Sequence, residues 1–524
     1  MNASPLRTWY VALGAALLVG LVLRVHGLHD PLLDHPGWRQ GDTAAIARNF
    51  ATLDLNPFHP QADYDGPPPN YVELELQIVP FLAALGYKLF GVHEVFGRLI
   101  SIAFSLGTIA VVAYFARELF ANSLAGVVAA CAFALYPGSV YYGRTFMPDT
   151  AMTFFLAAAL YAAYRWIVLD GVRSTRRFAI AAALAATAIL AKPVALVALV
   201  PIAALLLAEP GRREVLRAPA TYAFFALAVV PYAAYDAYVR SIAEWHWASG
   251  ITALHVVPAL RAALASPAAF VQKLRLFRDA LGMLPATMLG TVGAIVAAGA
   301  LATPLGRRAR VLLWSWLAAA LVYAYAVVTV ERVDYYLYPF LPLGALWTGG
   351  LAAYAAARLR APLHRRVAVL TAAALCAIAI VAGRRAVAPY YAYSASVYRA
   401  AKALDATLAP GTLVVMGHYD PSVLYYIDRK GWEEDPYLWT PFDEQSAIRK
   451  GARYYIAIEN NRLERNVELY AWLQRFPRRS AVAKWPVYET DPAKIIPGAE
   501  VRWRAFRNDE RAGRLPGPSG RVPR

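Results

Sequence analysis

Long apolar runs, separated by short polar stretches, fill most of the chain before residue 390. Each run approaches the roughly 20 residues that an α-helix needs to cross a bilayer. The predicted membrane spans are 8–25, 98–117, 124–142, 150–169, 178–191, 194–208, 219–239, 281–302, 311–330, 335–356 and 367–383. The two that flank Lys192-Pro193 are the shortest. The pattern therefore predicts an all-α polytopic membrane protein with about 11 transmembrane helices.

The stretch WRQGDTAAIARNF (38–50) follows the first span and has a different pattern. Ile46, Phe50 and Leu53 recur at helical spacing, which predicts a helix with one apolar face lying along the membrane surface. Asp42 stands near the start of this helix. An ionisable group held at the interface is a candidate functional residue. The alternative is that Asp42 only caps the helix by accepting bonds from its first free amides.

Residues 72–91 are apolar enough to suggest another span, but they contain Glu73, Glu75 and Pro80. Charged side chains are costly inside lipid. If this segment does not span, one set of alternate loops collects most of the arginines, which marks those loops as cytoplasmic. These arginines are Arg173, Arg176, Arg177, Arg212, Arg213, Arg217, Arg307, Arg308, Arg310, Arg358, Arg360, Arg365 and Arg366. We therefore predict a second in-plane helix at 72–91, with the N-terminus inside and the C-terminus outside.

This topology places several unexplained polar groups on the outer face. The loop 26–97, the turn 143–149, the turn at Lys192, the loop 240–280 and the turn 331–334 all face outward. Convergent polar groups above a hydrophobic bundle indicate a site.

The composition supports a membrane protein and argues against a nucleic-acid partner. The chain has 524 residues, 59% of them hydrophobic, and a mean hydropathy of +0.40. The basic residues behind its net charge of +17 lie in short clusters between apolar runs, where they set the membrane topology. Cys131 and Cys376 both lie in apolar segments, so no disulfide framework is predicted. The first segment lacks a cleavage site and is expected to remain as an anchor.

The composition changes after residue 389. GTLVVMGHYDPSVLYYIDRKGW (411–432) predicts a strand, a turn and a helix, and ARYYIAIEN (452–460) predicts a second buried strand. We predict a transmembrane module at 1–389, a small outer α/β domain at 390–506, and a disordered Gly/Pro-rich tail at 507–524.

Three short motifs carry candidate site residues, and each has an ordinary structural explanation. Arg144 and Asp149 flank a turn in which Pro148-Asp149 is good helix-start chemistry. Lys192 stands between two apolar helices, where lysine commonly snorkels to the surface. ERVDYYLYPFLP (331–342) sets acidic residues beside tyrosines, which form belts at many membrane interfaces.

Taken in order, these motifs resemble the GT-C superfamily of integral-membrane glycosyltransferases. The similarity is to the branch that contains the protein O-mannosyltransferases (glycosyltransferase family 39) and the lipid A aminoarabinose transferases. It covers roughly residues 8–350 and is carried by GDTAAIARNF (41–50), KLFGVHEVFGRLISI (88–102), RTFMPDTAM (144–152), LAKP (190–193) and DYYLYPFLPLGALW (334–347).

Two features depart from the family pattern. Family members often have an Asp-Glu pair where this chain has Asp42-Thr43. The aminoarabinose transferases have a Lys-Pro pair where this chain has GPPPNYVELE (66–75). These differences leave the sugar open.

The resemblance implies transfer of a sugar from a polyprenyl-phosphate donor to an acceptor hydroxyl, with inversion. Asp42 is then the general base, and Arg144 and Lys192 bind the departing phosphate. Asp149 would orient the acceptor or hold a divalent cation such as Mg²⁺ or Mn²⁺. The further site candidates are Arg39, Glu75, Glu331, Asp334 and Tyr335. The sequence has no His/Cys cluster that would predict a zinc site. It also has no Gly-rich loop that would predict a nucleotide-sugar or ATP as a substrate.

The expected location is a bacterial inner membrane, with the active site and the C-terminal domain on the periplasmic side. The expected partners are the lipid-linked donor, membrane lipids and a lipid, glycan or protein acceptor. Two alternatives remain open. One is a transporter or flippase for a lipid-linked sugar, although the repeats and broken helices typical of transporters are not evident. The other is an oligosaccharide ligase that uses the same donor class.

Overall fold

The structure, a computed structural model, describes residues 5–209, 212–359, 361–482, 484–512 and 514. Before residue 251 the α-helices are α1 (Pro5–Arg24), α2 (Gly37–Thr52), α3 (Ile78–Phe90), α4 (Val95–Leu119), α5 (Ser123–Leu135), α6 (Pro137–Tyr142), α7 (Asp149–Tyr164), α8 (Thr175–Ala191), α9 (Leu199–Ala208), α10 (Arg212–Arg217), α11 (Pro219–Ile242) and α12 (Trp247–Gly250). After it they are α13 (Val257–Ala265), α14 (Pro267–Met283), α15 (Gly290–Leu301), α16 (Arg307–Tyr323), α17 (Thr329–Glu331), α18 (Leu341–Arg358), α19 (Pro362–Val387), α20 (Ala395–Thr407), α21 (Pro421–Ile427), α22 (Pro441–Arg449), α23 (Asn460–Arg465), α24 (Val467–Leu473) and α25 (Ala499–Arg511).

The strands are short. They are β1 (Val72–Glu73), β2 (Trp245–His246), β3 (Leu413–Met416), β4 (Lys430–Glu433), β5 (Ala452–Ile456), β6 (Arg478–Val482) and β7 (Trp485–Glu489). The 3₁₀ and π-helical turns are Arg165–Leu169, Pro193–Ala198, Ile251–Val256, Leu284–Met288, Ala324–Val328, Asp334–Phe340, Ala388–Tyr391 and Pro492–Lys494.

The chain forms two compact units. Unit 1 comprises the residues up to Asp30 together with Glu73–Ile242 and His246–Tyr391. Unit 2 comprises Pro31–Val72, Ala243–Trp245 and the residues from Ala392 onward. The polar stretch after the first helix therefore belongs to the same unit as the C-terminal α/β fold, whereas the sequence pattern suggested that it belonged to the membrane module.

Unit 1 is a helical bundle with many candidate membrane spans. By length and composition alone, the described residues contain eight helices that could cross a membrane, or nine if one bent pair counts as a single span. That pair, Pro267–Met288 and Gly290–Leu301, bends by 117°. The protein is thus a polytopic membrane protein, as its hydropathy indicated.

All eleven predicted spans contain helix, but four of them differ from a single long helix. The span predicted at 124–142 is broken between α5 and α6, because a residue before proline avoids the helical conformation and Tyr136 precedes Pro137. The span predicted at 178–191 is helix α8, which has 17 residues. The span predicted at 194–208 begins as a 3₁₀ turn, and the span predicted at 281–302 lies in the bent pair. Conversely, the predicted outer loop 240–280 contains an apolar helical stretch, Trp247–Ala265, which is long enough to span.

The segment predicted to lie in the membrane plane is short. Within 72–91 the only helix in the part that the structure describes is α3, which has 13 residues. A helix of that length rises about 20 Å, less than the roughly 30 Å of a bilayer core. The length of α3 therefore favours the in-plane prediction over a span.

A buried arginine joins several helices of unit 1. Arg24, at the end of α1, is fully buried and bonds to neutral groups: Ser105 Oγ at 2.8 Å, Ser139 Oγ at 2.7 Å and Ala134 O at 3.3 Å. The last two partners stand on either side of the break between α5 and α6. Arg24 thereby satisfies polar groups that the break would leave exposed to lipid.

Unit 2 contains a five-stranded sheet in the order β4-β3-β5-β7-β6. The pairs β3–β4 and β3–β5 are parallel, whereas β5–β7 and β6–β7 are antiparallel. The strand, turn and helix predicted at 411–432 correspond to β3 and α21, and the predicted second strand corresponds to β5. The tail predicted to begin at 507 starts inside α25; beyond Ala512 only residue 514 is described.

Helix α2 is built into unit 2 by close packing and by buried charge. A Cβ on Gly41 would lie 2.5 Å from Ser422 Cα, so only glycine allows α2 to approach α21 this closely. Asp63, which is 2% exposed, binds Arg48 on α2 and accepts from Lys430 Nζ at 2.8 Å. These contacts hold together two segments that are more than 350 residues apart in sequence.

Candidate functional site

Asp42 lies inside α2, not at its start. The helix begins at Gly37, and the capping position is Pro36, whose side chain makes no capping bond. The capping interpretation of Asp42 is therefore wrong, because the helix starts earlier than the hydrophobic pattern indicated. Ile46 and Phe50 are buried inside the protein, whereas the pattern predicted an apolar face along the membrane surface, and Leu53 is exposed.

The surroundings of Asp42 favour a carboxylate of unusual basicity. Asp42 is 3% exposed. Burial, the largest cause, and the negative charges of Asp420 and Asp65 raise its pKa to about 7, against the opposing effects of Arg39 and of a hydrogen bond from the Tyr64 hydroxyl. Its Oδ1 atom is buried and has no hydrogen-bond partner among the described residues. A free oxygen on a carboxylate that titrates near neutrality is suited to accept a proton.

The other groups around Asp42 were missed by the sequence reasoning. Asp420 precedes α21 and caps it, with its Oδ1 accepting from Ser422 N at 2.9 Å. Tyr64 lies in the turn Asp63–Gly66, which bonds to β4 through Gly66 N to Gly431 O and Gly431 N to Asp63 O, both at 2.9 Å. The one available signal was the acidic run Glu433-Glu434-Asp435, which begins at the last residue of β4.

A second group of candidate residues comes together in unit 1. Lys192 Nζ donates to Asp149 Oδ1 at 2.7 Å, and the ammonium lies 5.3 and 5.0 Å from the ring centres of Tyr335 and Tyr336. We call these four residues the Lys192 cluster. Asp149 is 2% exposed, and its Oδ2 atom has no partner within the described residues.

Local sequence explains how the Lys192 cluster is positioned. Lys192 ends α8 in an extended conformation, φ −169° and ψ 130°, as expected for a residue before proline. Asp149 is the first residue of α7, where a negative charge is favoured by the helix dipole. The lysine therefore does not simply snorkel, because a buried carboxylate holds it.

Arg144 occupies a separate buried position in unit 1. Its side chain is fully buried and donates to Gly27 O at 3.3 Å. The guanidinium lies 5.0 Å from the ring centre of Tyr141 and 4.4 Å from that of Tyr391. Aromatic faces and a backbone carbonyl thus hold this guanidinium inside the protein.

The remaining candidates have structural partners. Asp334 accepts from the hydroxyls of Tyr142, Thr287 (2.6 Å) and Tyr390 (2.7 Å). Glu331 pairs with His255 at 3.0 Å. The carbonyl of Glu75, a buried residue, accepts from the Tyr235 hydroxyl at 3.4 Å.

The structure thus groups the candidates in two sets. Asp42 and Arg39 lie in unit 2, and Lys192, Asp149 and Tyr335 come together in unit 1. Of the described residues, no three His, Cys, Asp or Glu side chains are placed to hold a metal ion. The Oδ1 atom of Asp149 accepts from the Lys192 ammonium, so Oδ2 is the oxygen of this residue that a divalent cation would bind.

Comparisons with known proteins place this geometry in a family context. A family model of dolichyl-phosphate-mannose-protein mannosyltransferases matches residues 77–235. This range includes Arg144, Asp149 and Lys192 but not Asp42. No curated protein matches the chain in a sequence search.

Two solved structures share the fold of the chain. ArnT from Cupriavidus metallidurans, bound to undecaprenyl phosphate, is 16% identical with a TM-score of 0.56, and the match covers 93% of this chain and 99% of ArnT. The oligosaccharyltransferase AglB from Archaeoglobus fulgidus, in complex with an inhibitory peptide and a dolichol-phosphate, is 14% identical with a TM-score of 0.57, covering 93% of this chain and 75% of AglB. The family model and the shared fold confirm the resemblance to the GT-C superfamily that the sequence motifs indicated.

Proposed function

On the premise of this GT-C fold and family match, we propose that the chain transfers a sugar from a polyprenyl-phosphate-linked donor to an acceptor hydroxyl. The reaction takes place on the outer, periplasmic face of a bacterial inner membrane and inverts the anomeric carbon. The lipid phosphates in the structures of ArnT and AglB support this donor class. The acceptor is a lipid, a glycan or a protein.

The observation that carries the proposal is the state of Asp42. A buried carboxylate with a free oxygen and a pKa of about 7 can remove a proton near neutral pH. In the proposed step, the acceptor oxygen bonds to the anomeric carbon as its proton passes to Asp42. The bond between that carbon and the phosphate oxygen breaks, and the phosphate leaves with the electron pair.

Lys192 and Arg144 are the proposed ligands of the leaving phosphate. Negative charge grows on the phosphate as the bond breaks, so cations fixed in a buried site stabilise the transition state more than the ground state. Asp149 holds the Lys192 ammonium in place. In this role Asp149 acts through its 2.7 Å contact with Lys192 Nζ. It does not contact the acceptor or a divalent cation.

The test is product formation by the purified protein in lipid nanodiscs. The donors are undecaprenyl-phosphate mannose and undecaprenyl-phosphate aminoarabinose, and the acceptors are lipid A, a threonine-containing peptide and octyl glucoside. Asp42→Asn should lower turnover by at least about 10²-fold, as expected for loss of a general base. Asp54→Asn, which changes a half-exposed carboxylate just after the same helix, is the matched control. Full activity of Asp42→Asn would refute the base assignment.

A ligase that transfers a whole oligosaccharide is the second candidate, because AglB matches the fold with a TM-score of 0.57, close to the 0.56 of ArnT. Mass spectrometry of the product separates the two, since a ligase adds a preassembled glycan rather than one sugar. A transporter would yield no covalent product with any donor.

A further inference from the structure

Glu433, at the end of β4 in unit 2, is a buried carboxyl group that the proposed mechanism does not use. It is 8% exposed, and its Oε2 atom has no hydrogen-bond partner in the part of the chain that the structure describes. Its backbone is fixed because β4 pairs in parallel with β3, with Glu433 opposite Met416. A buried polar atom without a partner calls for an explanation, and a bound ligand is one such explanation.

The turn Asp63–Gly66 connects Glu433 to Asp42. Its backbone bonds to Gly431, two residues before Glu433, in both directions. Its Tyr64 side chain donates a hydrogen bond to Asp42. Two buried carboxylates from distant parts of the sequence, each with one free oxygen, therefore lie around one turn.

The charge state of Glu433 differs from that of Asp42. Burial, the largest cause, and the charges of Asp65, Asp42, Glu434 and Asp420 raise the pKa of Glu433 to about 10. The group is therefore a neutral acid at physiological pH. A neutral carboxyl group has an O–H that can donate a hydrogen bond, which a carboxylate lacks.

We propose that Glu433 binds the acceptor in the Asp42 site, by donating a hydrogen bond from its carboxyl group to the hydroxyl-bearing acceptor that Asp42 deprotonates. This inference rests on the proposed function of Asp42. Glu433 keeps its own proton throughout, so the atoms and electrons of the transfer step are unchanged. The C-terminal α/β fold thereby supplies part of the acceptor site.

The experiment compares Glu433→Gln with Glu433→Leu in nanodiscs, using undecaprenyl-phosphate mannose or aminoarabinose with lipid A, the threonine peptide and octyl glucoside. Glutamine retains a donor and should lose no more than about threefold in kcat/KM for the acceptor, whereas leucine should lose about tenfold or more. The KM for the donor should change less than about twofold in both variants. Glu444→Leu is the control, because Glu444 is also fully buried in unit 2 with one oxygen lacking a partner among the described residues, but its other oxygen accepts from Trp439 Nε1 at 2.8 Å. This substitution should change stability and leave the KM for the acceptor unaltered.

Infrared difference spectra supply a readout that does not depend on activity. At pH 8 the spectrum of wild type minus Glu433→Gln should contain the carbonyl band of a protonated carboxyl group. A carboxylate band in its place would overturn the proposal, as would equal losses in the glutamine and leucine variants or a change confined to the donor KM. These outcomes are distinct from an active Asp42→Asn variant, which refutes the base assignment itself.

Discussion

Lys192 and Asp149 form an ion pair with 2.7 Å between Nζ and Oδ1. Both side chains are largely withdrawn from solvent, so each sets the electrostatic surroundings of the other. This ion pair distinguishes Lys192 from a lysine that only extends to the membrane surface.

We expect Lys192→Gln to lower turnover by about 10²- to 10³-fold, as is typical when a donor to a developing oxyanion is removed. Asp149→Asn should lower it less, by about tenfold, because the ammonium remains but is less firmly held. The measurement is initial rate in nanodiscs at matched protein levels. Lys88→Gln, at the end of α3, is the control cation. Near wild-type rates for Lys192→Gln would place the phosphate elsewhere.

Arg144→Lys should also lower turnover, by about tenfold or more, because lysine cannot reproduce the planar fork that binds two phosphate oxygens. Because the lysine variant retains the positive charge, its loss of turnover measures the contribution of the guanidinium geometry. Thermal unfolding of the detergent-solubilised protein shows whether the variant is intact. If Arg144→Lys and Lys192→Gln both keep more than about a third of the wild-type rate, a loss below about 1 kcal/mol, neither residue binds the phosphate. Lys273, Arg275, Arg278 and Arg240 are the next residues to test.

The rate should rise with pH through about 7, because Asp42 accepts a proton only in its ionised form. Asp65→Asn removes one of the charges that raise the pKa of Asp42, so the midpoint should move to lower pH, by a few tenths to about one unit. Asparagine tolerates the positive φ of 69° at this position. The pH profile of kcat/KM is the measurement, with Asp54→Asn as the control. A midpoint that moves upward, or stays in place, would contradict the assignment.

Unit 2 should lose stability in acid through Asp63. Burial alone would raise the pKa of Asp63, but Arg48 and Lys430 outweigh burial and lower it to about 2. A depressed pKa contributes stability above the unfolded value of about 3.9, and this contribution is lost as the pH falls toward 2. Asp63→Asn should cost about 1–3 kcal/mol at pH 7, because Arg48 and Lys430 lose a buried charged partner but keep Asp428 and Asn49.

The measurement for Asp63 is thermal unfolding between pH 2 and pH 7. Asp428→Asn is the control, since Asp428 also pairs with Arg48 but is 54% exposed, and a surface pair contributes at most about 1 kcal/mol. Equal effects of the two substitutions would show that the buried network does not stabilise the fold.

The segment 72–91 should remain on the outer side of the membrane. Single cysteines at Phe58 and His93, two exposed positions before and after it, should both react with an impermeant thiol reagent added from outside. The background replaces Cys131 and Cys376. Labelling of the two positions from opposite sides would mean that the segment spans, and the predicted orientation of every later loop would reverse.

Residue patterns predicted the parts of this protein that depend on local sequence. Apolar runs located the helices, and Lys192-Pro193 and Pro148-Asp149 marked the ends that form the Lys192 cluster. Residue patterns could not predict that α2 is buried, because the spacing of its apolar residues does not show which segment covers its polar residues. The sequence reasoning missed Tyr64 and Glu433 for the same reason. Their contacts depend on pairing between residues 31–72 and β4, which local patterns do not encode.

The composition of unit 2 has a consequence for biosynthesis. Residues 31–72 leave the ribosome early, but β3, β4 and α21, to which they bind, are made only after the last helix of unit 1. Throughout the intervening elongation, Gly41 has no α21 to pack against, and Asp63 lacks Lys430. The surroundings that raise the pKa of Asp42 are incomplete until then. The proposed general base is therefore expected to form only after β4 and α21 have been made, so nascent chains that lack these elements should be inactive.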